Sequence, residues 1–214
     1  MTNQRQFARQ IIVVRHGRTD ANRSGVLQGR MDNPLNAEGI DQAQRVADLL
    51  AATYSDSSDS GSVHIVSSPL LRARQTAECI AERLKRDIHV DERWVELDYG
   101  VYDGTPLLAV PDDVWRRWRS DDTFAPEGGE SLADVHTRVT SACDEMSQES
   151  AYDGSGTLVV VSHVSPIKSA VAWALGVTPS VGWRTHLDNG SITRIAVGPR
   201  GPTLAGFNVT GHLN

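Results

Sequence analysis

The feature that most restricts this chain is a repeated one: an aliphatic run that stops at a histidine. Residues 11–14 read IIVV and continue into Arg15, His16 and Gly17, while residues 158–161 read LVVV and continue into Ser162 and His163. Apolar side chains at every position, rather than every second one, fit strands covered on both faces, as in a parallel sheet between helices. Such strands end at the carboxyl edge of the sheet, where open α/β sheets bind ligands. Two imidazoles at matched strand ends therefore share one site if their strands are neighbours.

Further apolar runs near 63–66 and 192–197, with another at 204–209, read as strands. Helical spacing carries Ile40, Ala43, Val46, Ala47 and Leu50 after a capping Asn36. It carries Ala73, Ala77, Ile80 and Leu84 after Ser68 and Pro69, a cap and a first-turn proline. A Ser131/Asp134 capping box precedes Val135, Val139 and Met146, and a helix over 166–175 stops at Gly176. The alternation predicts an α/β fold, a three-layer α/β/α sandwich with a mainly parallel central sheet, in a single domain over 1–214. Residues 104–129, rich in Pro and Asp, interrupt the alternation and are expected to form a small cap. Within them Trp115 and Trp118 share a helical face and are expected to pack the cap onto the core. The stretches TYSDSSDSGS and QESAYDGSGT read as polar connecting loops.

A net charge of −6 argues against a nucleic-acid partner, and no apolar run approaches bilayer-spanning length. The N-terminal MTNQRQFARQ has no apolar core of a secretory leader, and Cys79 and Cys143 read as buried free thiols. Both point to a cytoplasmic protein. Lys85 and Lys168 are the only lysines, so the cations are nearly all arginine, suited to planar recognition of carboxylate or phosphate. Arg72 falls in the first turn of the helix after the 63–66 strand and so reaches the same sheet edge; Arg74 points to the opposite side. Arg15, Arg72, His16 and His163 around one crevice would attract a dianion such as a phosphate monoester. His64, His89, His136, His186 and His212 lack that setting and read as structural.

At this point the segments RHGRTDAN, LQGRMDNPLNAEGIDQA, SSPLLRARQTA, ELDYGVYDG, PEGGES and VVVSHVSPIK together resemble the histidine phosphatase superfamily, the phosphoglycerate-mutase-like proteins. The resemblance runs in order through most of the chain. It implies that His16 accepts the phosphoryl group as a phosphohistidine, with Gly17 allowing a tight turn whose carbonyl fixes the imidazole tautomer. A neutral imidazole is nucleophilic near neutral pH without a separate base. Arg15, Arg72 and His163 are similar to the groups that clamp the phosphoryl oxygens. Asn22, Thr19, Gln28 and Gly29 match positions that bind substrate, and Glu96 matches the proton donor for the leaving oxygen. Asp98 and Asp103 compete for that last role if the loop is shifted. No metal or other cofactor is implied. The implied activity is hydrolysis of a small phosphomonoester metabolite, with phosphoglycerate mutase-type transfer as the alternative; a homodimer is compatible with either. One departure is Val164, where the family commonly has glycine; its N–H could still face the phosphate.

Leu97 directly after Glu96, the short mid-chain insertion and the short tail after FNVTGHLN resemble the phosphatase branch more than the mutases. SPIK at 165–168 matches Ser-x-x-Lys, but the S-D-N and K-T-G elements of that serine hydrolase class are missing. A phosphate-binding protein without turnover would lack the nucleophile, the clamp or the acid, and all three are present. No EF-hand, close His/Cys pair or G-K-[ST] element occurs. The substrate is not readable; the cap and the loop over 23–31 are expected to set it. Arg116, Arg117 and Arg119 read as a solvated helix face.

Overall fold

A computed structural model describes residues 9–54, 63–148 and 156–214. The two polar loops fall largely outside these residues. The strands are β1 (Arg9–Arg15), β2 (Val63–Ser67), β3 (Ile88–Val90), β4 (Gly156–Ser162), β5 (Ile192–Gly198) and β6 (Gly201–Val209). They form one sheet in the order β3-β2-β4-β1-β5-β6. The four strands from β3 to β1 are mutually parallel, and β5 and β6 add an antiparallel pair beside β1.

Among the described residues six α-helices accompany them: α1 (Asp20–Arg23), α2 (Ala37–Tyr54), α3 (Leu71–Leu84), α4 (Asp112–Ser120), α5 (Leu132–Ser147) and α6 (Val164–Leu175). The strand period of two sorts the all-aliphatic runs onto both sheet faces. Ile11, Val13, Leu158 and Val160 pack with Val135 and Val139 of α5 and Ile167 and Ala170 of α6. Ile12, Val14, Val159 and Val161 pack with Val46 and Leu50 of α2 and Ala73, Ala77 and Ile80 of α3. The expected α/β/α sandwich is the result.

Several local expectations change. Ile40 is exposed, and Gly39 takes its place on the inner face of α2. Gly39 must be glycine because a Cβ there would lie 2.0 Å from Arg18 O, while one on Gly17 would lie 2.2 Å from Gly39 O. The strand-end loop and the first turn of α2 thus meet backbone to backbone. Ser68 does not cap α3, which starts at Leu71; instead Asp32, from the loop before α2, accepts from Leu71 N. Helix α6 starts at Val164, two residues before the predicted point, with His163 as its N-cap. The expected capping box of α5 forms, and Gly176 ends α6 at φ 65°. β3 has no clear sequence signature, since only Ile88 of its three residues is even half-buried. Cys143 is buried, but Cys79 is only partly so.

The cap centres on Trp118, 1% exposed, which packs with Leu27, Val110 and Val114. Tyr99, Tyr102, Trp115 and Phe124 surround it, with ring centroids 5.2–6.0 Å away. Among the described residues no helix is long and apolar enough to cross a membrane.

Candidate active site

Register brings the two histidines together. Arg15 of β1 is level with Ser162 of β4, so His16 and His163 leave neighbouring strands side by side, their ring centroids 5.0 Å apart. Side-chain alternation then sends His16 and His163 toward the α3 side of the sheet and Arg15 toward the α6 side. Arg72, in the first turn of α3, is 1% exposed and lies against His16.

Hydrogen bonds fix both imidazoles. His16 Nδ1 donates to Gly17 O at 2.7 Å, because a carbonyl can only accept. The lone pair of His16 therefore sits on Nε2, where Arg72 Nε donates to it at 3.3 Å. Gly17 N in turn donates to Thr76 Oγ1 of α3 at 3.1 Å. Ser68 Oγ accepts weakly from Leu70 N and lies within hydrogen-bond distance of His163 Nε2, at 2.7 Å. His163 Nδ1 and Arg15 Nε are buried nitrogens with no partner among the described residues.

The remaining donors of the two arginines hold them in place. Arg72 Nη1 donates to Met31 O at 2.6 Å and Nη2 to Gly29 O at 2.9 Å. Arg15 Nη1 donates to Leu187 O. Burial, reinforced by the charges of Arg72 and Arg15, holds His16 well below the usual histidine pKa. Burial and the same two arginines do so for His163, with His16 adding to the effect. Burial also lowers Arg15 to about 10 and lowers Arg72. Two buried imidazoles thus lie beside two guanidinium groups.

Glu96, 6% exposed, is held at the N-terminus of α6. Its Oε1 accepts from Leu97 N at 2.8 Å and Ser165 N at 3.1 Å, and its Oε2 from Val164 N at 3.1 Å. The Val164 N–H thus faces Glu96 and not a phosphate, because the first N–H groups of a helix attract an anion and Glu96 supplies one. Asp98 and Asp103 are engaged by the backbone of residues 99, 100 and 30 and do not reach the cavity.

Arg15, His16, Arg72, Glu96, Asn22, Gln28 and Gly29 line one cavity of about 330 Å³, and Glu96 is the one carboxylate among its described lining residues. His163, its ring 5.0 Å from that of His16, and Thr19 are fully buried and do not line the cavity. Thr19 orients its neighbours: it donates to Gln28 Oε1 at 2.9 Å and forms the α1 capping box with Asn22. Asn22 Oδ1 accepts from Thr19 N and from Asn189 Nδ2, which leaves its own amide N–H groups for the cavity. Asn189, which also donates to His16 O at 3.2 Å, escaped sequence reading, as did Ser68 in this role. His186 and Lys168, both read as unremarkable, line the cavity as well, together with Trp115, Trp118 and Trp183. The tryptophans therefore pack the cap and form the wall. Of the cap arginines, Arg117 stacks on Phe124 at 3.9 Å and Arg119 sits 5.9 Å from Trp115 and Trp183, so only Arg116 is a simply solvated cation. No group of three or more His, Cys, Asp or Glu among the described residues is placed to hold a metal ion.

Fold and site define an α/β/α protein with two buried arginines and a buried histidine lining a cavity at the carboxyl edge of its sheet. The chain belongs to the histidine phosphatase superfamily, branch 1, which matches residues 11–210. It is 33% identical over 208 residues to phosphoserine phosphatase 1 of Hydrogenobacter thermophilus, covering 95% of this chain and 93% of that protein. It is 33% identical over 192 residues to a probable phosphoglycerate mutase of Proteus mirabilis, covering 87% and 84%. A bifunctional protein of Mycobacterium tuberculosis is 35% identical over 195 residues; that match spans 90% of this chain but about half, 51%, of the relative. Among solved structures, a histidine-to-alanine mutant of Entamoeba histolytica phosphoserine phosphatase in complex with phosphoserine superimposes with a TM-score of 0.83. It is 28% identical and covers 96% of this chain and 100% of that one.

Proposed function

We propose that the protein hydrolyses a small phosphomonoester through a phosphohistidine at His16. The observation that carries this reading is the arrangement around His16 Nε2: the Nδ1–Gly17 hydrogen bond leaves the lone pair on Nε2, Arg72 lies against it, and Arg15 lines the same cavity. In the first half-reaction Nε2 attacks phosphorus and the ester P–O bond breaks. The leaving oxygen takes a proton from Glu96. In the second, the Glu96 carboxylate takes a proton from water, the resulting hydroxide attacks phosphorus, the P–N bond breaks and phosphate leaves.

Arg15, Arg72 and His163 would form the clamp on the non-bridging oxygens, where charge accumulates in phosphoryl transfer. The Asn22 amide and Gln28 would add polar contacts, with Gly29 and Thr19 acting through Arg72, Asn22 and Gln28. Mutase-type transfer would use the same first step and differ in the acceptor. Support for hydrolysis comes from the phosphatases among the relatives and from Leu97 directly after Glu96, which resembles the phosphatase branch. The test is release of inorganic phosphate from a panel of metabolite monoesters with no bisphosphate added, with His16→Ala as control. Phosphoryl transfer between substrate molecules, without free phosphate, would favour the mutase.

A further inference from the structure

The segment that carries Glu96 is gripped by a side chain that does not line the cavity. Arg138 of α5 donates through Nη1 to Arg93 O at 2.6 Å, with a longer contact from Nη2 to Glu96 O at 3.5 Å. Between those two carbonyls, Ser162 Oγ at the end of β4 donates to Trp94 O at 2.7 Å. The backbone leading to Glu96 is thus tied both to α5 and to the strand that leads to His163. The carboxylate itself is held by the N–H groups of Leu97, Val164 and Ser165.

Arg138 is fixed in turn. Glu130 accepts from its Nε at 2.8 Å and from its Nη2 at 3.0 Å, so all three guanidinium nitrogens are engaged. An exposed ion pair does little to hold a geometry. Here the side chains are only 17% and 16% exposed, and the contact is a two-point fork. Glu130 N also donates to Asp98 O at 2.9 Å, so the pair grips the chain on both sides of Glu96. A third contact, at 3.3 Å, joins Glu130 to Arg30, in the loop whose Gly29 and Met31 carbonyls anchor Arg72.

We propose that Arg138, locked by Glu130, is the positioning residue for Glu96: it sets the carboxylate where it protonates the leaving oxygen, and it touches no substrate atom. The inference rests on the proton-donor role given to Glu96 above. Proton transfer needs hydrogen-bond reach in the transition state, and a small misplacement of the acid is enough to lose it. Without Arg138 the Arg93 carbonyl loses its donor and the segment before Glu96 is free to shift. The charge of Arg138 also reaches His163. A loss through that route would be common to all esters, whereas a loss through Glu96 grows with the basicity of the leaving group.

The test is a double-mutant cycle read as the ratio of kcat/KM for p-nitrophenyl phosphate to that for glycerol 3-phosphate. A ratio, unlike either value alone, is insensitive to a partial loss of folded protein. Glu96→Gln should raise it by about 10²-fold or more. Arg138→Met should raise it by about ten-fold or more, and Arg138→Lys, which cannot keep the fork and the Arg93 contact together, by less. Added to Glu96→Gln, Arg138→Met should change the ratio by no more than about two-fold, because its effect runs through the missing acid. A wild-type ratio in Arg138→Met, or the same rise with and without Glu96, would overturn the positioning role and leave the hydrolase reading standing. No rise in Glu96→Gln would remove the proton-donor role and this inference with it. Hydrolysis of neither ester by the wild-type protein would remove the hydrolase reading itself.

Discussion

Arg72 Nε donates to His16 Nε2 at 3.3 Å, the ring nitrogen proposed to attack, while both of its terminal nitrogens are anchored to backbone carbonyls of Gly29 and Met31. The guanidinium plane is thus fixed at three points before any ligand arrives. Lysine gathers its three donors on one nitrogen and cannot reproduce contacts from three nitrogens spread over a plane. Arg72→Lys should therefore lower kcat/KM for a phosphomonoester by about 10²-fold or more, in the range found for loss of one preorganised donor. Steady-state kinetics on folded variant, checked by circular dichroism, measures this; a loss under three-fold would contradict the role.

Glu96 should matter in proportion to the basicity of the leaving group. An alkoxide needs a proton as it departs, whereas p-nitrophenolate leaves readily without one. Glu96→Gln should lower kcat by about 10²–10⁴-fold for an alkyl monoester. The loss in the phosphorylation step should be much smaller for p-nitrophenyl phosphate, as pre-steady-state release of nitrophenol would show. Equal losses for both esters would place Glu96 outside proton transfer.

Ser68 Oγ lies 2.7 Å from His163 Nε2, and both residues are buried. Ser68→Ala leaves His163 Nε2 without its partner, at a cost of about 1–3 kcal/mol for the unsatisfied group. The expected outcome is a drop in kcat/KM of about ten-fold or more, with Ser68→Thr restoring part of it. Nitrogen chemical shifts of His163 should move as Nε2 loses that partner. An unchanged ring spectrum would contradict the contact.

The two buried histidines also make stability depend on pH. Their folded pKa values lie well below 6.5, with burial the main cause and Arg72 next. Below that value the unfolded chain takes up protons that the folded protein does not, so stability falls as pH drops from neutrality toward the folded pKa values. Urea midpoints should decline from pH 7 to pH 5. The decline should be shallower in His163→Gln, which removes one of the two groups.

Much of this architecture is written in short stretches of sequence, and the gaps have physical causes. Unbroken aliphatic runs at 11–14 and 158–161 specify two-faced burial, which is why the parallel centre and the pairing of His16 with His163 were legible. The antiparallel direction of β5 and β6 depends on how the chain returns to the sheet, which no local pattern records. Ser68 looks like a helix cap because Ser-Pro usually is one; here the distant Asp32 serves Leu71, and Ser68 is left for His163. Lys168 lies in a helix whose face is chosen by tertiary packing, so its entry into the cavity has no signature. Asn189 sits in a turn that resembles any other. The family motifs gathered the groups of the site, but motif position did not separate Asn22 and Gln28 at the cavity wall from Thr19 behind them.

The most direct measurement is chemical quench of the enzyme with ³²P-labelled substrate, followed by peptide mapping of the acid-labile, alkali-stable phosphoprotein. The account predicts label on the peptide containing His16, formed before phosphate release and lost in His16→Ala. Turnover that persists in His16→Ala, or label on another residue, would contradict it.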